Sequence, residues 1–72
     1  MSNSDSLIIE LQFLLAEEVP EKYRSLEVEF NKLINEKKYR ASYSVLDKLK
    51  RKNDWHPSVK LLGAIDRFQI VF

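Results

Sequence analysis

Residues 30–46, Phe30-Asn31-Lys32-Leu33-Ile34-Asn35-Glu36-Lys37-Lys38-Tyr39-Arg40-Ala41-Ser42-Tyr43-Ser44-Val45-Leu46, decide the fold of this chain. Up to Asn35 an apolar stripe runs at helical spacing through Tyr23, Leu26, Phe30, Leu33 and Ile34, with Arg24, Ser25, Asn31, Lys32 and Asn35 opposite. Continued helically, the stripe would next fall on Lys37 and Lys38. Two adjacent lysines do not belong in a core. The chain is therefore expected to turn over residues 35–38. A stripe of different phase then begins with Ala41, Ser42, Val45, Leu46 and Leu49, with Tyr39 and Tyr43 at its edge. Two helical stripes separated by a break in phase make a helical hairpin.

Working outward, residues 6–18 read as a first helix. Leu7, Ile8, Leu11, Leu14 and Leu15 share one face, while Ile9, Phe13 and Ala16 fall on roughly the opposite one. Pro20 is suited to the first position of the second helix, where its missing N–H costs nothing. Asn53-Asp54 reads as the stop of the third helix and Pro57 as the start of the last. There Leu61, Ile65, Phe68 and Phe72 form the core face, and Gly63 reads as a site of close helix–helix packing. Ile70 and Val71 make the end of that segment apolar nearly all round. Either it is the central helix of the bundle, or residues 68–72 form a strand, or the natural chain continues. The expected fold is all-α: a small compact bundle of about four helices with a central helical hairpin. It is read as a single domain over residues 1–72, with residues 1–5 disordered.

A chain of 72 residues sits near the size where one core is marginal, burying only about 60% of its unfolded surface. The absence of cysteine removes disulfide and thiolate-metal frameworks and favours a reducing, cytoplasmic setting. The start lacks the basic segment of a signal peptide, and Glu10 and Gln12 interrupt the only long apolar run, so no membrane span is expected.

Charge is sorted along the chain. Residues 1–36 carry eight acidic groups against three basic ones, a balance of −5; residues 37–60 carry eight basic groups against two acidic ones, a balance of +6. The total is +1. Opposed poles of this kind steer a basic partner to one end, an acidic partner to the other, or a second copy head to tail.

Chemistry is sparse. His56 stands without cysteine or a second histidine, which supports no zinc site. Asp54, His56 and Ser58 read as a turn rather than a triad. One glycine excludes a phosphate-cradling loop. No enzyme, cofactor, metal or small-molecule substrate is expected. Glu17 and Glu18 lie at a helix C-terminus, unfavourably for structure, and are either a solvated pair or part of an acidic docking surface. The stripe of Ile9 and Phe13 is either buried in the middle of the bundle or a partner-binding patch.

The segment Glu10-Leu11-Gln12-Phe13-Leu14-Leu15-Ala16-Glu17-Glu18-Val19-Pro20 resembles the second helix of a death-effector domain, whose pattern is an acidic residue, a phenylalanine–leucine pair, polar residues, and isoleucine or valine before proline. Residues 30–37 are similar to that family's fourth helix and residues 45–52 to its fifth. The family's first helix has no counterpart, and Lys52-Asn53-Asp54-Trp55 only approaches its arginine-x-aspartate-leucine motif. The resemblance implies homotypic assembly in cell-death or inflammatory signalling, with Phe13-Leu14 as an exposed hydrophobic patch. The turn before Ala41 and Ser42 also resembles a tetratricopeptide-type hairpin.

The leading expectation is a protein-interaction domain. It would dock through Ile9 and Phe13, oriented by Glu10 and Glu17 at the acidic pole and by Arg40, Lys48 and Arg51 at the basic pole, with a protein partner or a second copy. The competing expectation is a nucleic-acid-binding module using Arg40, Lys48, Lys50, Arg51 and Lys52, with Tyr43 and Trp55 for stacking. A third is an inhibitor or immunity-like protein that binds an enzyme through its acidic half.

Overall fold

The first helix begins earlier than its periodicity predicts. The structure, a computed structural model, describes residues 3–72. It contains α1 (Asn3–Glu18), a single 3-10 turn (Glu21–Tyr23), α2 (Arg24–Asn35), α3 (Tyr39–Lys50) and α4 (Val59–Val71). Asn3, Ser4 and Asp5 belong to α1 rather than to a disordered arm. Met1 and Ser2, the rest of that arm, lie outside the described residues.

The core-facing stripes meet one another, except that Phe72, expected at the end of the α4 core face, is 42% exposed and stacks on Tyr39 instead. Leu7, Leu11, Leu14 and Leu15 of α1 are buried, as are Phe30 and Ile34 of α2, Val45, Leu46 and Leu49 of α3, and Leu61, Ala64, Ile65 and Phe68 of α4. Phe30 and Phe68 meet edge to face at 5.9 Å between ring centroids, which ties the hairpin to the last helix. The α2–α3 pair and the α1–α4 pair make the most extensive contacts, and α4 also leans on α3 while α1 touches α2. The four helices thus form a ring in which α1 and α3 stand on opposite sides. Residues 68–71 continue α4 as helix, and no strand occurs among the described residues.

The predicted hairpin turn is real, and its geometry is a helix stop usually made with glycine. Lys38 N–H donates to Leu33 O at 2.9 Å and Lys37 N–H to Ile34 O at 3.0 Å, with Lys37 at φ 59°. This pair of bonds is a Schellman motif, and a side chain in the left-handed region costs roughly 1 kcal/mol that glycine avoids. Lys37→Gly is therefore expected to raise the melting temperature by about 4–8 °C, measured by circular dichroism. An unchanged or lower value would mean that the lysine side chain is more useful there than its backbone strain is costly.

Three further boundaries differ from the sequence expectation. Pro20 is extended (φ −64°, ψ 155°) and precedes a 3-10 turn instead of opening α2. The third helix ends at Lys50, because the following residues are drawn toward the 3-10 turn: Asp54 accepts hydrogen bonds from Lys22 Nζ and Tyr23 Oη, and Lys52 Nζ lies 4.9 Å from the Tyr23 ring centroid. The last helix begins after Ser58, whose Oγ accepts from Leu61 N–H at 3.1 Å, leaving Pro57 outside. Gly63 is exposed, and a Cβ added there would meet nothing within 4 Å, so it is not a close-packing site. Ala41 is likewise exposed, one position off the buried stripe of α3.

The Asp54 cluster makes a pH prediction. Hydrogen bonds from Lys22 and then Tyr23 hold the Asp54 carboxyl at about 2 against an ordinary 3.8. A carboxyl depressed by folding contributes stability that is complete above its unfolded value and is lost as the pH falls through the folded one. Melting temperature is thus expected to fall more steeply between pH 3.8 and about 2 in the natural chain than in Asp54→Asn. Parallel curves would remove the cluster as a source of acid sensitivity.

Candidate functional site

Helix α1 turns two chemically similar faces in opposite directions. Its leucines line the core, while Ile9 and Phe13 are 54% and 62% exposed and Ala16 is also exposed. The choice between core and surface for this stripe, open at the level of sequence, is decided for surface. Helix–helix packing explains why: α1 has neighbours on one side and at its edges only, so the opposite face has nothing to meet.

The stripe extends onto α2. Gln12 Nε2 donates to Asn31 Oδ1 at 3.3 Å, and Arg24 Nη2 donates to Val19 O at 2.8 Å. These two bonds set α1 and α2 antiparallel, with Ala16 at the level of Val28, which is 61% exposed. Ile9, Phe13, Ala16 and Val28 are thus exposed apolar residues on adjoining parts of the two helices. Val28 is absent from the site residues that the sequence singles out. Its signal was present, since it stands between Glu27 and Glu29, out of phase with the Tyr23–Leu26–Phe30 stripe. Beside Ile9 the surface dips into an open hollow of about 370 Å³, lined by Ile8, Ile9, Gln12, Ile34, Lys37 and Tyr39 among others.

A second group of exposed apolar residues, Ile70, Val71 and Phe72, lies at the end of α4, where Ile70 and Val71 border an open hollow of about 310 Å³ with Leu7, Glu10 and Arg67. Val59 and Ile70 lie on the outer side of α4 about three turns apart, with exposed Gly63 and Asp66 between them. Single exposed apolar residues are ordinary, whereas contiguous ones mark contact surfaces.

The charged residues divide into those already engaged and those left over. Glu10 is half-buried and accepts from Arg67 Nη2 at 2.8 Å, joining α1 to α4. Glu18 accepts from Ser58 N–H at 2.9 Å and from Ser58 Oγ at 2.6 Å. It therefore helps cap α4. Its place at the C-terminus of α1 is offset by facing the positive end of α4. Glu27 is buried against Arg24, which also lies near Glu21 at 3.5 Å. Glu17 is exposed and has no ion-pair partner among the described residues.

On α3 the outward face carries Arg40, Ala41, Ser44, Asp47 and Lys48, continued by Arg51. Arg40 and Lys48 are exposed with no ion-pair partner among the described residues. Arg51 pairs with Asp47 at 3.0 Å, Lys50 with Asp66 at 3.6 Å, and Lys52 covers the Tyr23 ring. Three of the five cations invoked for nucleic acid are thus occupied within the chain. Of the stacking candidates, Tyr43 is half-buried and donates to Gln69 Oε1 at 3.1 Å, and Trp55 packs against the core. The acidic and apolar members of the expected site, Ile9, Glu10, Phe13 and Glu17, come together on α1. The basic members, Arg40, Lys48 and Arg51, gather on α3 across the bundle, and the two groups do not form one surface.

Asp54, His56 and Ser58 form no catalytic array, since Asp54 is bound to Lys22 and Tyr23, and Ser58 to Glu18 and Leu61. No group of three or more potential metal ligands occurs among the described residues, and no described helix is long and apolar enough to cross a membrane. Comparison with protein families, curated proteins and solved structures finds no match to this chain.

Proposed function

We propose that the domain is a non-catalytic protein-binding module of a reducing, cytoplasmic compartment, docking through the strip of Ile9, Phe13, Ala16 and Val28. The observation that carries this reading is the exposure of Ile9 and Phe13 on a helix whose opposite face is fully buried. An apolar side chain held in water gains about 25 cal/mol per Å² when a partner covers it, and an aromatic one is a frequent anchor of an interface. Glu17, at the end of the strip and without an internal partner, supplies a rim charge that sets orientation and association rate more than affinity.

The death-effector resemblance suggests one form of such docking. Phe13 is available for it; Leu14, only 5% exposed, belongs to the core. The experiment is the substitution Phe13→Lys, with binding and thermal stability measured together. Loss of binding at an unchanged melting temperature supports the docking surface; unfolding would make Phe13 a structural residue and end the proposal.

A further inference from the structure

The outward face of α3 has a shape as well as a charge. At its middle are Ala41 and Ser44, both small and exposed, and one turn to either side of Ser44 stand Arg40 and Lys48. Small side chains between two long ones make this face a shallow saddle, flanked by two cations without an ion-pair partner among the described residues, while Asp47 beside Lys48 is paired with Arg51. Across the bundle, the outward face of α1 is its counterpart. A raised aromatic, Phe13, is followed one turn later by Glu17, an anion without an internal partner, and α1 carries no lysine or arginine at all. With the Phe13 ring over Ala41 and Ser44, Glu17 falls one turn away, at Lys48 or at Arg40 according to the direction in which the helices cross.

We propose that the occupant of the α1 strip is a second copy of this chain, received on the Ala41–Ser44 saddle of its α3. This rests on the docking role of the α1 strip and names its partner. The argument is complementarity: a bulky apolar residue beside an uncompensated carboxylate on one side, small residues between uncompensated cations on the other, at matching spacing. Because α1 and α3 lie on opposite sides of the ring, each copy keeps one face free after the other is occupied. The contact is heterologous, and it propagates unless its rotation closes a ring. Like charges would meet if α3 packed on α3, which disfavours that isologous alternative.

The test uses two variants of the full chain. Phe13→Lys destroys the knob and leaves the saddle; on α1 the new lysine stands three residues after Glu10 and four before Glu17, which suits the helix. Ser44→Glu fills the saddle and pairs with Arg40 and Lys48, again at helical spacing, leaving the knob untouched. Sedimentation velocity from micromolar to millimolar concentration at low salt is expected to show the natural chain growing past the dimer. Each variant alone should self-associate roughly thirtyfold more weakly or worse. An equimolar mixture should form a heterodimer that grows no further, since one intact knob meets one intact saddle. High salt should weaken the association by screening the exposed charges.

If the natural chain stays monomeric at low salt, the second copy is excluded as the partner, and the docking strip is judged by its own binding experiment. If the natural chain associates and Phe13→Lys abolishes this, but the mixture gives no heterodimer, the saddle is excluded while the strip stands. If Phe13→Lys associates like the natural chain, the contact of strip and saddle is excluded, and the strip is again judged by its own binding experiment.

Discussion

Phe68→Ala is expected to leave the chain largely unfolded at 25 °C. The Phe68 ring is fully buried, meets Phe30 edge to face and lies 4.7 Å from the Phe72 ring. Removing a buried phenylalanine costs about 3–5 kcal/mol in lost transfer energy and unfilled cavity. A single core in a chain of this size supplies only about that much net stability, and no disulfide supplements it. Circular dichroism in increasing urea would read the effect directly. A cooperative transition close to that of the natural chain would show that the junction of hairpin and α4 repacks readily, and that Phe68 is not the keystone its burial makes it.

Phe13→Lys is expected to do the reverse, abolishing binding while leaving the fold intact. Phenylalanine at 62% exposure contributes little packing, and lysine is the better helix former by a few tenths of a kcal/mol. Favourable spacing to Glu10 and Glu17 adds a similar amount, so the melting temperature should be unchanged or slightly higher. Binding should fall by roughly thirtyfold or more, the usual consequence of removing an aromatic anchor from the centre of an interface. A positive charge introduced beside Glu17 adds repulsion toward any basic partner. The two phenylalanines thus make an internal control. If both substitutions lower the melting temperature alike, the two-faced description of α1 fails; if neither alters binding, the strip has no partner-binding role.

Much of the fold is legible in the chain because its signals are local. The mismatch between the stripe ending at Ile34 and the lysines at 37 and 38 placed the hairpin turn without reference to any distant residue. The leucines of α1 and the Leu61–Ile65–Phe68 face of α4 were read in the same way. Boundaries were less legible where distant groups set them. The third helix stops at Lys50 because Asp54 and Lys52 are held by Lys22 and Tyr23, some thirty residues away. Gly63 departs from its sequence expectation for a related reason: a glycine within an apolar pattern signals close packing only if another helix passes there, and none does.

The candidate site divides along the same line. Sequence determined that α1 has two apolar faces, that charge is sorted along the chain and that the middle of the chain is a helical hairpin, since each follows from periodicity or counting. Tertiary structure decided that the second face of α1, with Ile9 and Phe13, is not buried as well, because that depends on where α2 and α4 are packed. It also decided which charges remain uncompensated: Glu10 and Glu18 are drawn to Arg67 and Ser58, while Glu17, Arg40 and Lys48 are left facing water. A charge is neutralised by what lies within a few ångströms in space, and sequence separation does not report that distance. Only the ring of helices, with α1 and α3 across from each other, turns a charge gradient along the chain into two opposed surfaces.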